Sequence, residues 1–345
     1  MPRALILGGT GMIGRATALR LRAAGWDVDV TGRDINHMPS ELLSQGVTFV
    51  PVNRDDSSEL SAAMGDGTDL LVDCICYTAT DAVRLLPLVR DAGSTAMISS
   101  KAVYVDDAGN HSNSIVAPRF DGPILESQTT IAPSDVDYRS PDGYGANKVA
   151  AENVLLDSGL PVTVIRPSKM HGAGASRPRE WIFIKRALDH RPALLLANRG
   201  AGIDQTSAAL NIAALIEVVT SAPGSRILNG ADPDAPSALE ISRAIARILD
   251  REWDEVLLEG DAIGTLGKHP WDVPYPIVLD MTAAIVLGYE PVGTFEETVR
   301  AEVEWLVPLV SAGALPVELP SGLDESFFES LFDYAAEDRY LAGHH

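Results

Sequence analysis

The feature that most constrains this chain is a glycine-rich turn near its N-terminus. The apolar run Arg3–Leu7 has the length of one buried strand, and a helical pattern over 15–24 ends at Gly25. Between them stands Gly8-Gly-Thr-Gly-Met-Ile-Gly14. Glycines permit a tight turn and let a pyrophosphate approach the positive end of the following helix. This context predicts a dinucleotide site, with contacts from Gly8, Thr10, Gly11, Met12, Ile13 and Gly14.

Strand and helix patterns alternate through the first half of the chain. Further strand patterns occur at 28–31, 47–52, 70–76, 95–99 and 161–167, and helical patterns occur at 82–92 and 144–156. Short strands separated by helices predict a parallel sheet that is covered by helices on both faces. The expected fold is therefore α/β, a Rossmann-type doubly wound parallel sheet with a smaller C-terminal substrate lobe.

The second half has mostly helical patterns, at 208–220, 236–250, 279–288 and 294–307. We expect a dinucleotide-binding domain over 1–167, with later returns near 205–230 and 277–290, and mainly a substrate lobe over 168–345. The last thirty residues form an acidic tail, in which an apolar stripe has helical spacing: Phe327, Phe328, Leu331 and Phe332. We expect this stripe to dock on its own subunit.

Composition excludes several classes of protein. The net charge of −21 argues against a nucleic-acid or anionic-membrane binder, and no apolar run is long enough for a membrane helix. The first strand begins at once, so we expect no signal peptide. The two cysteines, Cys74 and Cys76, cannot form a disulfide framework or a structural zinc site, and we expect no metal. These features predict a cytoplasmic protein with a small-molecule substrate, and they leave a homodimer open.

The end of the second predicted strand bears on the choice of cofactor. Dinucleotide-binding folds usually carry Asp or Glu there, to hold the ribose hydroxyls, whereas this chain has Gly32 and Arg33. A guanidinium suits a 2′-phosphate, so the sequence favours NADP over NAD. The alternative is that Arg33 is solvated and that Asp34 binds the ribose, which would allow NAD. Asn53 and Arg54 follow the third strand and are predicted to lie near the adenine.

Three residues in order suggest one chemistry: Ser100 after the fifth strand, then Tyr144 and Lys148 on one face of a helix. A free tyrosine titrates near ~10, and a nearby ammonium favours its phenolate form. Such a tyrosine can exchange a proton with a secondary alcohol or ketone while hydride moves to or from its carbon. Ser100 can then donate a hydrogen bond to the substrate oxygen. We predict that these three residues are catalytic, and that Tyr144 and Lys148 also touch the cofactor.

With these motifs in place, the chain resembles the extended short-chain dehydrogenase/reductase family, of the NAD-dependent epimerase/dehydratase type. The resemblance runs from Arg3 to about residue 306. It rests on the glycine turn and on four further segments: Ser99-Ser-Lys-Ala-Val-Tyr104, Tyr144-Gly-Ala-Asn-Lys148, Arg166-Pro-Ser-Lys-Met-His-Gly172 and Leu287-Gly-Tyr-Glu-Pro291. It implies the same catalytic trio, and it implies that Pro167 begins the segment lining the nicotinamide.

Departures from the family pattern narrow the range of activities that we expect of this chain. His171 stands where many members have Tyr, and a structural or nicotinamide-lining role is favoured over catalysis, although contact with substrate stays open. Ala208-Ala-Leu-Asn211 replaces a usual His-Val-Asp-Asp stretch. Nucleotide-sugar dehydratases carry Asp-Glu just after the catalytic Ser or Thr, where this chain has Lys101-Ala102. The acid and base needed to remove water are therefore missing.

The segment 166–199 is cationic within an acidic chain. It contains eight cations, which are Arg166, Lys169, Arg177, Arg179, Lys185, Arg186, Arg191 and Arg199. Only Glu180 and Asp189 oppose them, which leaves +6. Arginine suits capture of phosphate or carboxylate, so we predict an anionic substrate with Arg177 and Arg179 among its ligands. The alternative is that these cations pair with the chain's own carboxylates, including those of the acidic tail.

The resulting functional prediction is an NAD(P)-dependent oxidoreductase or epimerase acting on a secondary alcohol or ketone, with a nucleotide-sugar epimerase or ketoreductase as the best specific case. A reductase of an aldehyde or a natural-product ketone is the alternative within the enzyme class. A different class would be a non-catalytic dinucleotide sensor or an RNA-binding relative. The intact trio argues against the sensor, and the acidic charge argues against RNA.

Overall fold

The computed structural model describes residues 1–310 and 323–343. In chain order its strands and helices are β1 (Arg3–Leu7), α1 (Met12–Ala23), β2 (Asp27–Gly32), α2 (Ser40–Ser44), β3 (Thr48–Pro51), α3 (Ser57–Met64), β4 (Thr68–Asp73), α4 (Ala79–Arg90), β5 (Ala92–Ile98), α5 (Pro141–Leu156), β6 (Val162–Pro167), β7 (Lys169–His171), α6 (Trp181–Leu188), β8 (Ala193–Leu196), β9 (Thr206–Ala208), α7 (Ala209–Ser221), β10 (Arg226–Gly230), α8 (Ala238–Ile248), β11 (Asp254–Leu257), α9 (Thr282–Val286), α10 (Phe295–Leu306) and α11 (Tyr334–Gly343).

Seven strands form one parallel sheet in the order β3-β2-β1-β4-β5-β6-β10. The chain starts at β1 in the middle, runs outward through β2 and β3, and then crosses to β4 on the other side. This reversal opens a crevice at the carboxyl ends of β1 and β4, where ligands of doubly wound sheets bind. The predicted Rossmann-type sheet is confirmed.

The core forms because apolar residues alternate along buried strands. In β1, Ile6 packs into the cluster that contains Val30 and Leu215, whereas its neighbour Leu5 packs into the cluster with Leu71 on the opposite face. All five side chains are 0% exposed. Each such side chain contributes about 1.5–3 kcal/mol to stability. The two faces are thus both covered by helices, as the continuous apolar runs predict.

Several element bounds differ from the sequence-based ones. The predicted strand at 70–76 ends at Asp73, so both cysteines lie beyond it as free thiols. Helix α5 begins at Pro141, three residues before Tyr144, because the Ser140 hydroxyl accepts a hydrogen bond from the amide of Gly143 at 3.0 Å. The helix predicted at 279–288 is only the short α9, Thr282–Val286.

A second hydrophobic cluster lies after the sixth strand. It gathers Trp181 and Phe183 of α6, Trp271, and Phe295 of α10 around the two-stranded β8–β11 pair. Phe183 and Trp271 stack with ring centroids 5.9 Å apart. This part of the chain therefore has a hydrophobic core of its own.

The apolar stripe of the tail packs into this cluster, but not as one helix. Phe328 and Leu331 are buried in it, as docking on the same subunit requires. The predicted helical arrangement is wrong, because a short turn ends at Phe327 and α11 begins only at Tyr334. The remainder of the acidic tail, 316–322 and 344–345, lies outside the described residues. Within the described ranges, no helix has the length and apolar character needed to cross a membrane.

Candidate active site

The glycine turn leaves room for an anion at the start of α1. Gly8 has a φ of +74°, and a Cβ on Gly14 would lie 2.5 Å from the Cα of Gly9. These two glycines therefore make the turn itself. At Gly11 a Cβ would meet only the carbonyl oxygen of Gly8, at 3.5 Å, so this side of the turn is open. Because Gly11 has no side chain to cap the helix, the backbone amides in the first turn of α1 remain available to donate hydrogen bonds to a ligand.

A cavity of about 670 Å³ opens beside the turn, at the carboxyl ends of β1, β2 and β4. Of the residues predicted to bind the cofactor, five line it: Gly8, Thr10, Arg33, Asn53 and Arg54. Met12 and Ile13 instead pack into neighbouring hydrophobic clusters, and Pro167 pairs with Gly230 at the end of β6. The cavity and the open helix end together fit a dinucleotide.

The two arginines predicted beside the nucleotide differ in what they contact. The Arg54 guanidinium contacts the buried Asp73 carboxylate at 3.2 Å and donates to the carbonyl of Ile75, so it ties β3 to β4. Arg33 is exposed at the cavity edge and has no ion pair among the described residues. Asp34 is also exposed there, and its carboxylate accepts from the Asn36 amide at 2.9 Å. Arg33 is therefore the side chain that is free to meet a phosphate.

An aromatic pair that the sequence did not reveal closes one wall of the cavity. The ring of Tyr77, just after β4, stacks on the ring of Tyr138 with centroids 5.3 Å apart and planes 22° apart. Tyr138 belongs to the long connection 99–140 between β5 and α5. Arg139 of the same connection also lines the cavity. This connection therefore contributes to the wall of the cavity.

Lys148, which the sequence predicts to be catalytic, is fixed at the carboxyl edge of the sheet. Lys148 is 2% exposed, and its ammonium donates to the carbonyl oxygens of Cys76 at 2.7 Å and Ile98 at 2.9 Å. The ammonium also lies 4.5 Å from the centroid of the Tyr77 ring, a cation–π distance. These contacts anchor α5 to the ends of β4 and β5 and hold a positive charge beside the cavity.

Helix α5, which carries Tyr144, packs closely on the turn after β5, which begins at Ser100. A Cβ on Gly145 would lie 2.5 Å from the carbonyl oxygen of Ala102, so only glycine permits this approach. Ser100 begins the turn, and its hydroxyl accepts from the Ala102 amide at 3.1 Å. Tyr144 is partly buried and lies within electrostatic reach of Tyr77, whose pKa is raised to about 12 by burial and by Tyr144.

Behind this trio lies a buried polar network that sequence reasoning missed. Glu152, 1% exposed, accepts from the Ser99 hydroxyl and makes two hydrogen bonds with the Arg166 guanidinium, one of them from its Nε at 3.1 Å. Arg166 also lies over the ring of Tyr104, 4.8 Å from its centroid. The network joins β5, α5 and β6, so it fixes the helix that carries Tyr144. Arg166 is therefore structural rather than available to a substrate.

His171 lies in a second buried network. It is 0% exposed, and its Nε2 lies 2.9 Å from the Asp232 carboxylate, which also accepts from the Asn211 side chain at 2.8 Å. Although burial opposes it, the Asp232 charge raises the pKa of His171. Asn211, part of the segment that departs from the family pattern, is thus a tie between α7 and the Asp232 loop. These contacts favour a structural role for His171.

The cations of the segment 166–199 are nearly all paired. Seven of the eight have a carboxylate within ion-pair distance: Arg166 with Glu152, Lys169 with Asp204, Arg177 with Asp324, Lys185 with Asp189, Arg186 with Glu337, Arg191 with Glu337 and Asp338, and Arg199 with Glu259. Three of these partners belong to the acidic tail. Arg179 alone has no such pair among the described residues.

Arg179 lies beside a buried charged cluster. Its guanidinium makes one long hydrogen bond, to the Met170 carbonyl at 3.5 Å, and lies 5.8 Å from the centroid of the Phe327 ring. Burial lowers the pKa of Arg179, and the nearby carboxyl groups of Glu180 and Glu302 oppose this shift. Lys101 and Lys169 both pair with Asp204. Burial lowers the pKa of each lysine, and the charge of Arg179 lowers it further.

With the site described, comparison with known proteins is informative. The model of the NAD dependent epimerase/dehydratase family matches residues 4–203, more than half of the 345-residue chain. The chain therefore belongs to this family of NAD-dependent epimerases and dehydratases, which are enzymes. No curated protein sequence matches the chain.

Solved structures share the fold at low identity. The UDP-glucose 4-epimerase of Thermus thermophilus, in complex with NAD, is 18% identical with a TM-score of 0.65, over 88% of this chain and 98% of that one. The UDP-N-acetylglucosamine 4-epimerase of Methanobrevibacter ruminantium is 16% identical with a TM-score of 0.67, over 89% and 98%. The UDP-glucuronic acid 4-epimerase of Bacillus cereus is 15% identical with a TM-score of 0.64, over 89% and 99%. At such identities the likeness establishes the fold.

Proposed function

We propose that this enzyme reversibly oxidises a secondary alcohol of a nucleotide sugar, as a 4-epimerase or a ketoreductase. The observation that supports the proposal is that Lys148 is fixed at the carboxyl edge of the sheet, near a cavity that fits a dinucleotide, while the helix that carries Tyr144 packs on the turn that begins at Ser100. Fold relatives whose names specify UDP-sugars support the choice of substrate class. The lobe after residue 168 would hold the substrate.

The chain's own residues supply the proton chemistry. A dinucleotide held beside the glycine turn would supply the hydride chemistry at the carbinol carbon. Tyr144 would remove the hydroxyl proton during oxidation and return it during reduction. The Ser100 hydroxyl would donate to the same substrate oxygen, where negative charge develops. The fixed Lys148 ammonium would supply a positive charge at that edge of the sheet, where it would stabilise negative charge that develops during the proton transfer.

We infer that the cofactor is NADP, with NAD as the alternative. Arg33 supports this choice, because it is exposed at the cavity edge and is not engaged by a carboxylate among the described residues. A 2′-phosphate would accept charge-assisted hydrogen bonds from its guanidinium. The neighbouring structures solved with NAD belong to other proteins and leave this choice to experiment.

The dehydratase branch of the family is disfavoured. Lys101 stands just after Ser100, where a dehydratase would need an acid, and its ammonium is paired with Asp204. Ala102, which follows, has no group that could act as a base. The residues present support oxidation and reduction at one carbon but not removal of water.

The proposal is tested by denaturing the purified protein, identifying the released dinucleotide, and then assaying UDP-glucose, UDP-N-acetylglucosamine and UDP-glucuronate. An epimerase keeps and recycles its cofactor, so inversion at one carbon without added dinucleotide is expected. Steady consumption of NADPH with a keto-sugar would indicate the ketoreductase. Failure to bind either dinucleotide would contradict the proposal, and turnover of uncharged ketones alone would favour a natural-product reductase.

A further inference from the structure

Four arginines line the cavity beside the glycine turn, and they differ in whether a carboxylate holds them. Arg54 and Arg84 each form an ion pair with an aspartate, at 3.2 Å and 2.8 Å respectively. Arg33 and Arg139 are exposed and form no ion pair within the described part of the chain. Arg33 follows β2 and is assigned above to the 2′-phosphate. Among the described lining residues, Arg139 is therefore the remaining cation that an external anion can meet.

Aromatic rings, rather than a carboxylate, hold Arg139 in place. Its guanidinium carbon lies 4.8 Å from the centroid of the Tyr138 ring, which in turn stacks on the ring of Tyr77 with centroids 5.3 Å apart. The Lys148 ammonium lies 4.5 Å from the centroid of Tyr77. Both cations are within the range of a cation–π interaction. The Arg139 guanidinium makes no hydrogen bond within 1–310 and 323–343, so its N–H donors are available to an anion.

The topology of the sheet places Arg139 and Arg33 on different sides of the glycine turn. Strand β1 lies between β2 and β4, Arg33 follows β2, and Tyr77 follows β4. The segment after β4 lies against the turn, because a Cβ on Gly8 would be 2.7 Å from Cγ2 of Ile75. In a doubly wound fold the diphosphate lies at the glycine turn after β1, and the adenosine ribose lies toward the end of β2. We therefore expect Arg139 to meet the diphosphate rather than a 2′-phosphate.

We propose that Arg139, in the connection 99–140, binds the diphosphate of the dinucleotide, and that Tyr138 positions its guanidinium. The inference rests on the proposed function, since it uses the same dinucleotide site. Arginine binds phosphate oxygens through charge-assisted hydrogen bonds, and the first-turn amides of α1 would donate to the same diphosphate. Because NAD and NADP share this diphosphate, Arg139 contributes to the affinity for either cofactor, whereas Arg33 contributes to the choice between them.

The test is a titration of the purified full-length protein with NADH and NADPH, followed by nicotinamide fluorescence. Arg139→Gln should weaken both dinucleotides equally, by about tenfold, the lower end of the range for a hydrogen bond to a charged group, because the side chain is exposed. Arg139→Lys should lose less affinity, because it keeps the charge without the planar set of donors. The contact is ionic and exposed, so the loss in Arg139→Gln should shrink as salt is added.

The same titration tests the positioning role of Tyr138. Tyr138→Phe keeps the ring beneath the guanidinium and should leave both affinities unchanged, whereas Tyr138→Ala should weaken both dinucleotides. If Tyr138 acts only through Arg139, the double variant Tyr138→Ala/Arg139→Gln should bind no more weakly than Arg139→Gln alone. Additive losses would contradict the positioning role.

The matched control is Arg119→Gln, which should change neither affinity. Arg119 belongs to the same connection, is exposed, and lies 5.3 Å from the centroid of the Tyr275 ring, but it lies outside the described lining of the cavity. A larger loss of NADPH than of NADH affinity in Arg139→Gln would show that Arg139 binds a 2′-phosphate, and would overturn the inference. Unchanged affinities, or a loss that high salt does not diminish, would also overturn it. A wild type that binds neither dinucleotide would contradict the proposed function itself, and this inference with it.

Discussion

Replacing Arg33 should change the choice of cofactor. The side chain stands at the end of β2, exposed at the cavity edge, and it has no ion pair among the described residues. Arg33→Ala should therefore remove a contact with a 2′-phosphate and leave the fold intact. NADH has no such phosphate, so its affinity should hardly change.

The magnitude follows from the exposure of the side chain. Hydrogen bonds to charged groups contribute about 1.5–3 kcal/mol, and solvent around an exposed guanidinium places this contact at the lower end. A loss of about 1.5 kcal/mol corresponds to about tenfold weaker binding of NADPH. Because the contact is ionic and exposed, the difference should shrink as salt is added.

The assay is a titration of the protein with NADPH and NADH, followed by nicotinamide fluorescence. Arg33→Lys serves as the control for charge and should keep most of the NADPH affinity. Asp34→Asn tests the alternative in which a carboxylate holds the ribose. Equal losses of NADH and NADPH affinity in Arg33→Ala would refute the reasoning, as would a wild type that prefers NADH and loses that preference in Asp34→Asn.

Two further predictions concern the buried networks. Arg166→Met should lower the free energy of unfolding by about 3–5 kcal/mol in urea denaturation, because it leaves the Glu152 carboxylate buried without its partner; a loss below about 1 kcal/mol would contradict the network. Burial and the charge of Glu180 raise the pKa of Glu302 above the value it has in the unfolded chain. The protonated carboxyl group therefore stabilises the fold at acid pH, and this stabilisation is lost as the pH rises through the pKa of the folded state. The Glu302→Gln variant does not titrate at this position and keeps its stability. Its melting temperature minus that of the wild type should therefore increase as pH rises above 4.5. A difference that does not depend on pH would contradict the raised pKa of Glu302.

Local sequence signals were enough to predict the sheet and the glycine turn. Strand length, alternation and turn glycines are short-range properties, so β1, α1 and the Tyr144–Lys148 face follow from neighbouring residues. The close approach at Gly145 was not anticipated, because it depends on a carbonyl 43 positions away in the chain.

The charged residues show where sequence reasoning stops. The sequence gives the number of cations in 166–199, but it does not show that Arg166 forms an ion pair with Glu152 or that Arg177 forms one with Asp324 in the tail. Such pairs are set by tertiary distances, and the composition of a segment does not contain them. Only the structure therefore shows that Arg179, unlike the other seven cations, has no carboxylate within ion-pair distance among the described residues.

The central claim is that Tyr144 moves the proton while hydride moves to or from the same carbon. It is tested most directly by measuring kcat for Tyr144→Phe with the best nucleotide-sugar substrate, together with its dinucleotide affinity. The account predicts a fall in kcat of about a hundredfold or more, since a general acid–base group is lost, with dinucleotide affinity nearly unchanged. Turnover close to that of the wild type would contradict it.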